Sequence, residues 1–228
     1  MPDAVTEQNT LALIPFVATG STREADAWLA RLSPSEMESP RIIDVRKRWA
    51  ILKGDYAGWK RLDAIQPYVD VDAVAHWQQA LTAATVMAAQ GDLAGARGRL
   101  AGFPTEVKST LQIEPANYRL WVGLSAMEAL LGQNEEALRD ARKAVEVMPE
   151  TLEADLGLLA RRNLAVVYAW TGDKDAAIAE LARIIRTPSM LLGVNVHLMR
   201  VDPDWAPLRG DPRFEALLND PKNNAPLF

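Results

Sequence analysis

The 228-residue sequence predicts an all-α fold, a right-handed solenoid of about five helical hairpins with a capping segment at its C-terminus. Five glycines recur at spacings of 34, 37, 41 and 40 residues, which are periods typical of helical-repeat proteins. Five positions after each glycine stands a residue that is alanine in four of the five cases. Helical periodicity dominates, and no segment has the pattern of a strand. The glycines are Gly20, Gly54, Gly91, Gly132 and Gly172, and the residues five positions later are Ala25, Trp59, Ala96, Ala137 and Ala177.

The spacing has a physical reason. A glycine just after a helix can adopt the left-handed conformation that closes the last turn without strain. The next helix follows within a few residues, so the two helices must lie antiparallel. Where they pack closely, a small side chain is needed at the crossing. Each glycine therefore predicts a hairpin turn, and each alanine predicts a close helix crossing.

The first four predicted helices are residues 6–19 and 23–32 around Gly20, then 42–53 and 56–65 around Gly54. Residues 75–90 precede Gly91, 117–131 and 135–147 flank Gly132, and 156–171 and 175–186 flank Gly172. The longer spacings after Gly91 and Gly132 predict extended helices or longer loops around residues 103–116 and 150–157. Prolines near the repeat ends block helix continuation, whereas Pro15 is expected to kink the first helix. The repeat-end prolines are Pro34, Pro67, Pro104, Pro149 and Pro188.

The last predicted helix belongs to a cap. Asp211 is a good N-cap residue, and Pro212 suits the first helical position. The apolar residues that follow should share one side and cover the last repeat, because a solenoid end otherwise exposes its core. These residues are Phe214, Leu217 and Leu218. We therefore expect a repeat array over residues 1–187 and a cap and tail over 188–228.

The repeats resemble the tetratricopeptide repeat (TPR). The agreement is best around Gly132 and good around Gly172, and weakest around Gly54, where Lys47 and Trp59 replace small residues. The matching residues are Trp121, Leu124, Ser125, Ala137, Ala141, Ala144 and Pro149, then Leu164, Ala165, Tyr168, Ala177 and Leu181. Residues 199–218 also resemble the end of TPR arrays in bacterial multidomain signalling proteins. Those proteins carry a kinase, nucleotide cyclase or winged-helix domain upstream. The first repeat begins almost at Met1, so one interpretation is that this chain is a piece of such a longer protein.

Composition excludes several classes of function. The chain is acidic, with a net charge of −5 and a pI near 5.2, and lacks the excess of basic residues typical of nucleic-acid-binding proteins. No nucleic-acid partner is therefore expected. The chain has no cysteine and no apolar stretch of membrane-spanning length. A soluble protein is expected. The cytoplasm is favoured, and the periplasm remains an alternative if the chain is attached to an upstream membrane span.

No catalytic constellation is recognisable, so we expect no enzyme activity, no cofactor and no metal in this chain. His76 and His197 lie far apart in sequence, without cysteines or closely spaced carboxylates. Asp202, Asp204 and Asp211 are better explained as capping residues than as a calcium loop.

The resemblance implies a concave face, lined by the first helix of each repeat, that binds a protein or peptide partner. Arginines and a tryptophan on such a face are typical binding hot spots. For Trp170 the alternative is packing against the next repeat or the tail, and for the arginines simple solvation. The predicted partner-binding residues are Arg119, Val122, Ala126, Leu130, Arg162, Asn163, Val166, Trp170, Arg48 and Gln78.

A carboxylate clamp of the chaperone-binding type is disfavoured. Its slots would hold Val122, Ala126, Leu81 and Thr85, and only Arg162 and Asn163 fit in part. Three rivals to partner binding stay open: a homodimer that self-associates an upstream effector, a small-ligand sensor, and, least favoured, a helical-repeat enzyme.

Overall fold

The computed structural model describes residues 4–65, 73–187 and 194–225, and no residue in these ranges lies in a strand. The helices are α1 (Ala4–Thr19), α2 (Arg23–Leu29), α3 (Pro34–Met37), α4 (Pro40–Leu52), α5 (Tyr56–Ile65), α6 (Ala73–Ala89), α7 (Leu93–Leu100), α8 (Phe103–Ile113), α9 (Tyr118–Leu131), α10 (Asn134–Val147), α11 (Ala154–Trp170), α12 (Lys174–Ile184), α13 (Val196–Val201), α14 (Pro212–Asn219) and α15 (Pro221–Asn224). A 3-10 helix, Pro203–Leu208, lies between α13 and α14. Within the described ranges no helix is long and apolar enough to cross a membrane.

Contacts group the chain into two units. The first unit contains the residues up to Asp72 together with His197–Asp202, and the second contains Ala73–Val196 and Pro203 onward. The tail contributes to both units, with His197–Asp202 in the first and Pro203 onward in the second. The division into a repeat array and a tail at residue 187 stays a prediction.

The first unit is built on two hairpins, α1–α2 and α4–α5. Its core is rich in aromatic side chains: the rings of Phe16 and Trp49 meet edge to face at 5.8 Å. The Trp49 indole N–H donates a hydrogen bond to Asn9 Oδ1 at 3.0 Å. The Tyr56 hydroxyl donates to the backbone oxygen of Val201 at 3.0 Å and thereby ties α13 to α5. α1 continues through Pro15 as far as Thr19.

The second unit stacks three hairpins, α6–α7, α9–α10 and α11–α12, so that α9 contacts both α6 and α11. This is the arrangement of an all-α solenoid, and the predicted fold class is confirmed. Residues 103–116, expected as an extended helix or a loop, instead contain the separate helix α8. Gly102, at φ +91°, breaks the chain after α7, and Pro104 lies in the first turn of α8.

The turn glycines behave as predicted, with φ values from +67° to +91° at all five positions. At Gly132 the backbone N–H donates to the Ala129 oxygen at 3.1 Å, and the next N–H donates to the Glu128 oxygen at 2.9 Å. These bonds satisfy carbonyls that the end of α9 would otherwise leave unpaired. The four alanines five positions after a glycine are fully buried, and Trp59 is 4% exposed.

The predicted cap on α14 is also present. Asp211 Oδ1 accepts the N–H of Arg213 at 3.0 Å, and Pro212 opens the helix. Phe214 and Leu218 are buried, Leu217 is half-buried, and α14 contacts α12.

Candidate functional site

The first helices of the three hairpins in the second unit, α6, α9 and α11, form what we call the first-helix face. The 3-10 segment Pro203–Leu208 lies against it and contacts both α6 and α11, the two helices that flank α9. Trp205 is 1% exposed and Leu208 fully buried. The first-helix face therefore already holds a short segment of the same chain.

Two side chains of α11 hold this segment. Arg162 Nη2 lies 2.8 Å from Asp204 Oδ2, and both side chains are mostly shielded from solvent. The same guanidinium stands 5.2 Å from the centre of the Trp205 ring. The Trp170 indole N–H donates to the backbone oxygen of Asp204 at 2.9 Å. A charge-assisted bond, a cation–π contact and a backbone hydrogen bond therefore converge on two adjacent residues.

Three of the predicted partner-binding residues are not accessible to solvent. Leu130, Asn163 and Val166 are buried. Asn163 Nδ2 donates to the Ser125 hydroxyl at 2.9 Å and so joins α11 to α9. Asn163 therefore helps to hold two neighbouring hairpins together, and none of the three side chains is open to solvent.

The other predicted residues differ in their surroundings. Arg119 is exposed at the start of α9, where its Nε donates to the Tyr118 hydroxyl at 3.3 Å, while Val122 and Ala126 are half-buried further along. Gln78 is exposed on α6. Arg48 is exposed on α4 and belongs to the first unit. In the second unit, solvent therefore reaches Arg119, Val122, Ala126 and Gln78 at least in part.

Of the two interpretations of Trp170, packing against the tail matches its hydrogen bond to Asp204. Arg162 is ion-paired and not simply solvated. The two residues that partly fitted a carboxylate clamp are both engaged inside the chain, Arg162 with Asp204 and Asn163 with Ser125. This agrees with the sequence argument against such a clamp.

A second polar site was not predicted from the sequence. Glu128 on α9 is fully buried, and its Oε1 lies 2.8 Å from Lys108 Nζ of α8. The pKa of the Glu128 carboxyl is raised to about 7, chiefly by burial and also by the nearby charge of Asp140, while Lys108 opposes the shift. Glu128 is the single acidic residue of α9, which was the available sequence signal.

An open cleft of about 300 Å³ adjoins this cluster between α8, α9 and α10. Asp140 is paired with the Arg139 Nε at 2.8 Å, so each of the two acids in the cluster lies against a basic side chain. Such a network ties α8 to the α9–α10 hairpin. The cleft is lined by Lys108, Leu111, Gln112, Trp121, Leu124, Arg139 and Asp140.

Among the described residues, no group of three or more His, Asp or Glu side chains is placed to hold a metal ion. His197 lies in the first unit near Gly20, and burial together with the charge of Arg200 lowers its pKa.

No model of a known protein family matches the chain, and no solved structure matches it significantly. The chain is similar to Protein STIP1 homolog from Dictyostelium discoideum, with 26% identity over 147 aligned residues. The alignment covers 52% of this chain and 25% of that relative, so the chain spans only about a quarter of the relative's length. With the stacked hairpins, this similarity supports a TPR-like helical protein.

Proposed function

We propose that this chain is a non-catalytic protein-interaction module that binds a partner segment on the first-helix face of its second unit. The observation that supports this best is the segment Pro203–Leu208, which this face holds through Arg162 and Trp170. A surface that binds one short segment by side chain, ring and backbone has the chemistry to bind another.

The accessible part of the same face extends the candidate surface. Arg119, Val122 and Ala126 offer a cation beside a small apolar strip on α9, and Gln78 adds a polar group on α6. Arginine and tryptophan dominate binding energy at interfaces because they combine large contact area with directional hydrogen bonds. We propose that Arg119, Arg162 and Trp170 supply most of the affinity. Leu130, Asn163 and Val166 support the face from beneath.

The resemblance of the tail favours a setting for this module. We propose that it acts as the C-terminal array of a larger bacterial signalling protein, with an effector domain of the kinase, cyclase or winged-helix type upstream. In that setting, binding of the partner segment to the second unit would signal to the effector domain.

The proposal is tested by selecting binders from a random peptide library displayed against the full chain. The selected peptides are then titrated against a triple variant, Arg119→Glu, Arg162→Glu and Trp170→Ala. We expect the triple variant to lose binding while its helical circular dichroism is retained. The matched control is Arg142→Glu on α10, an exposed charge reversal away from the first-helix face. Equal binding by the triple variant and the control would overturn the proposal.

A second candidate, self-association, is favoured by one observation in the first unit. Leu11 and Ile14 are 52% and 60% exposed, and they lie three residues apart on α1, on one face of the helix. Light scattering of the wild type and of a Leu11→Lys, Ile14→Lys variant decides it. A dimer that the variant converts to a monomer supports self-association, and a monomeric wild type contradicts it.

A further inference from the structure

We propose that the first-helix face of the second unit recognises a segment in which an acidic residue directly precedes tryptophan, and that Pro203–Leu208 occupies this site in cis. The inference rests on the proposed function and deepens it by naming the chemistry of the partner. A partner of this class binds by displacing the chain's own segment.

The acidic position is specified by Arg162. Its side chain is 19% exposed and lies 2.8 Å from the Asp204 carboxylate, which is 27% exposed. A guanidinium shielded to this extent has lost much of its water, so a neutral or basic partner residue would leave a charge poorly solvated. A carboxylate at this position satisfies Arg162, and no uncharged side chain replaces it fully.

The position after the acidic residue selects tryptophan through the volume that Trp205 occupies and through its contact with Arg162. Trp205 is almost fully buried, and Arg162 lies over the face of its ring. Among aromatic side chains, indole gives the strongest cation–π attraction and the largest buried area. A smaller side chain would leave a void and lose this contact.

The backbone contact is independent of sequence. Trp170 donates to a main-chain oxygen, so it fixes where the segment sits without selecting a side chain. Pro203 and Pro207 restrict the backbone of the segment before it binds, which lowers the entropy lost on binding. The chemical class is therefore a short, proline-flanked segment with an acid–tryptophan pair.

The element that follows the segment has anchors of its own. α14 is held by the buried Phe214, and Arg213 Nη1 pairs with Asp175 Oδ1 of α12 at 2.5 Å. Release of Pro203–Leu208 therefore does not require α14 to leave. Because the tethered segment competes at high effective concentration, a partner in trans binds the wild type more weakly than it binds an emptied site.

The test uses a fluorescein-labelled peptide with the sequence of residues 202–209, titrated into full-length protein by fluorescence anisotropy. In the receiving chain, Asp204→Ala and Trp205→Ala together remove the two side chains of the cis segment that contact Arg162, and they change no residue of the first-helix face. We expect this double variant to bind the peptide at least about tenfold more tightly than wild type, because the site is no longer mostly occupied. Adding Arg162→Glu should abolish binding, whereas adding Arg142→Glu should not.

A charge swap tests the acidic position directly. A peptide with Arg at the place of Asp204 should bind the Arg162→Glu variant of the emptied chain and not the Arg162 form. If the double variant fails to fold, the single variant Asp204→Arg, which keeps Trp205, takes its place. With the wild-type peptide it should bind more tightly than wild type does.

Equal affinity of the peptide for wild type and for the emptied chain, or binding that ignores Arg162, would overturn the inference. A dimer that appears with Asp204 and Trp205 intact and disappears without them would also overturn it, because the occupant would then be a second copy of the chain. Failure of the proposed function looks different: there, no library peptide depends on Arg119, Arg162 and Trp170 at all.

Discussion

Hairpins α4–α5 and α9–α10 share a glycine turn but close their crossings in different ways. In α9–α10 the crossing is made by Ala137, Ala141 and Ala144, all fully buried. In α4–α5 the place of the first alanine is taken by Trp59, which is 4% exposed. The same turn is therefore followed by either a small or a large buried side chain five residues after its glycine.

The two hairpins also differ in the charged residues that they bury. Lys47 stands where the repeat pattern has a small residue, and its Nζ lies 2.8 Å from Asp63 of α5, with both side chains largely buried. The α9–α10 hairpin instead buries Glu128 near Asp140, and Lys108 of α8 supplies the balancing charge. A departure from the repeat pattern is thus accommodated by a partner on a neighbouring helix.

The largest expected effect comes from truncating the buried Trp59 side chain of α5. Trp59→Ala should lower the free energy of unfolding by about 3–5 kcal/mol, because it opens a cavity that rigid helices do not close. Urea denaturation measures the loss. A loss below about 1 kcal/mol would mean that α4 and α5 can approach as closely as an alanine-closed pair, and the comparison would fail.

An alanine-closed hairpin should show the opposite sensitivity. Ala177 is fully buried on α12, and Ala179 in the same helix is exposed. We expect Ala177→Leu to cost about 1–3 kcal/mol through overpacking. The same substitution at Ala179 should leave the unfolding midpoint nearly unchanged. Similar midpoints for both variants would show that the crossing is not tight.

The turn shared by the hairpins is tested separately from the space around it. Gly172 and Gly98 both have room for a methyl group, but Gly172 has φ +91° and Gly98 lies inside α7. Gly172→Ala should cost about 1–2 kcal/mol because L-residues rarely adopt that backbone. Gly98→Ala should instead stabilise by about 0.5–1 kcal/mol. Thermal melts of the two variants should therefore move in opposite directions.

The buried acid of α9–α10 gives the smallest effect, which depends on pH. Burial raises the pKa of Glu128 from its ordinary value of 4.5 to about 7, so the folded chain binds more protons than the unfolded chain between these values. Its contribution to stability is greatest below about pH 4.5 and declines as the pH rises through 7. Glu128→Gln should flatten this decline in urea titrations from pH 5 to 8.

Glu146→Gln is the matched control for that titration, because the Glu146 side chain is 70% exposed on α10. It should leave the pH dependence of wild type unchanged. An identical slope for Glu128→Gln and wild type would show that the carboxyl is charged throughout this range.

Much of the fold could be predicted because its signals are local. Glycine spacing, alanine at the crossings and the Asp211–Pro212 cap each act within a few residues, and the structure contains all of them. The helix α8 was missed because residues 103–116 were expected to be an extended helix or a longer loop and Pro104 to be a repeat-end proline, whereas Pro104 lies in the first turn of a separate helix.

The contents of the candidate site depend on pairs that are distant in the sequence. Arg162 and Asp204 meet only because the tail returns to α11, and no periodicity shows that. Asp204 was interpreted as a capping residue, like Asp211, and its role as an ion-pair partner was missed. Arg161 stands where the repeat pattern has a large apolar residue, and it pairs with Glu150 and Glu180, which are also distant in the sequence or on a neighbouring helix.

The most direct measurement is amide hydrogen exchange of the wild-type chain at several urea concentrations below the unfolding transition. The amides of Trp205, Ala206 and Leu208 are compared with that of Leu124 in the core of α9. If Pro203–Leu208 is an exchangeable occupant, its amides should exchange by a local opening that depends little on urea and needs less free energy than global unfolding. If they exchange only together with Leu124, the segment is a permanent part of the core, and the first-helix face is not a site that a partner can enter.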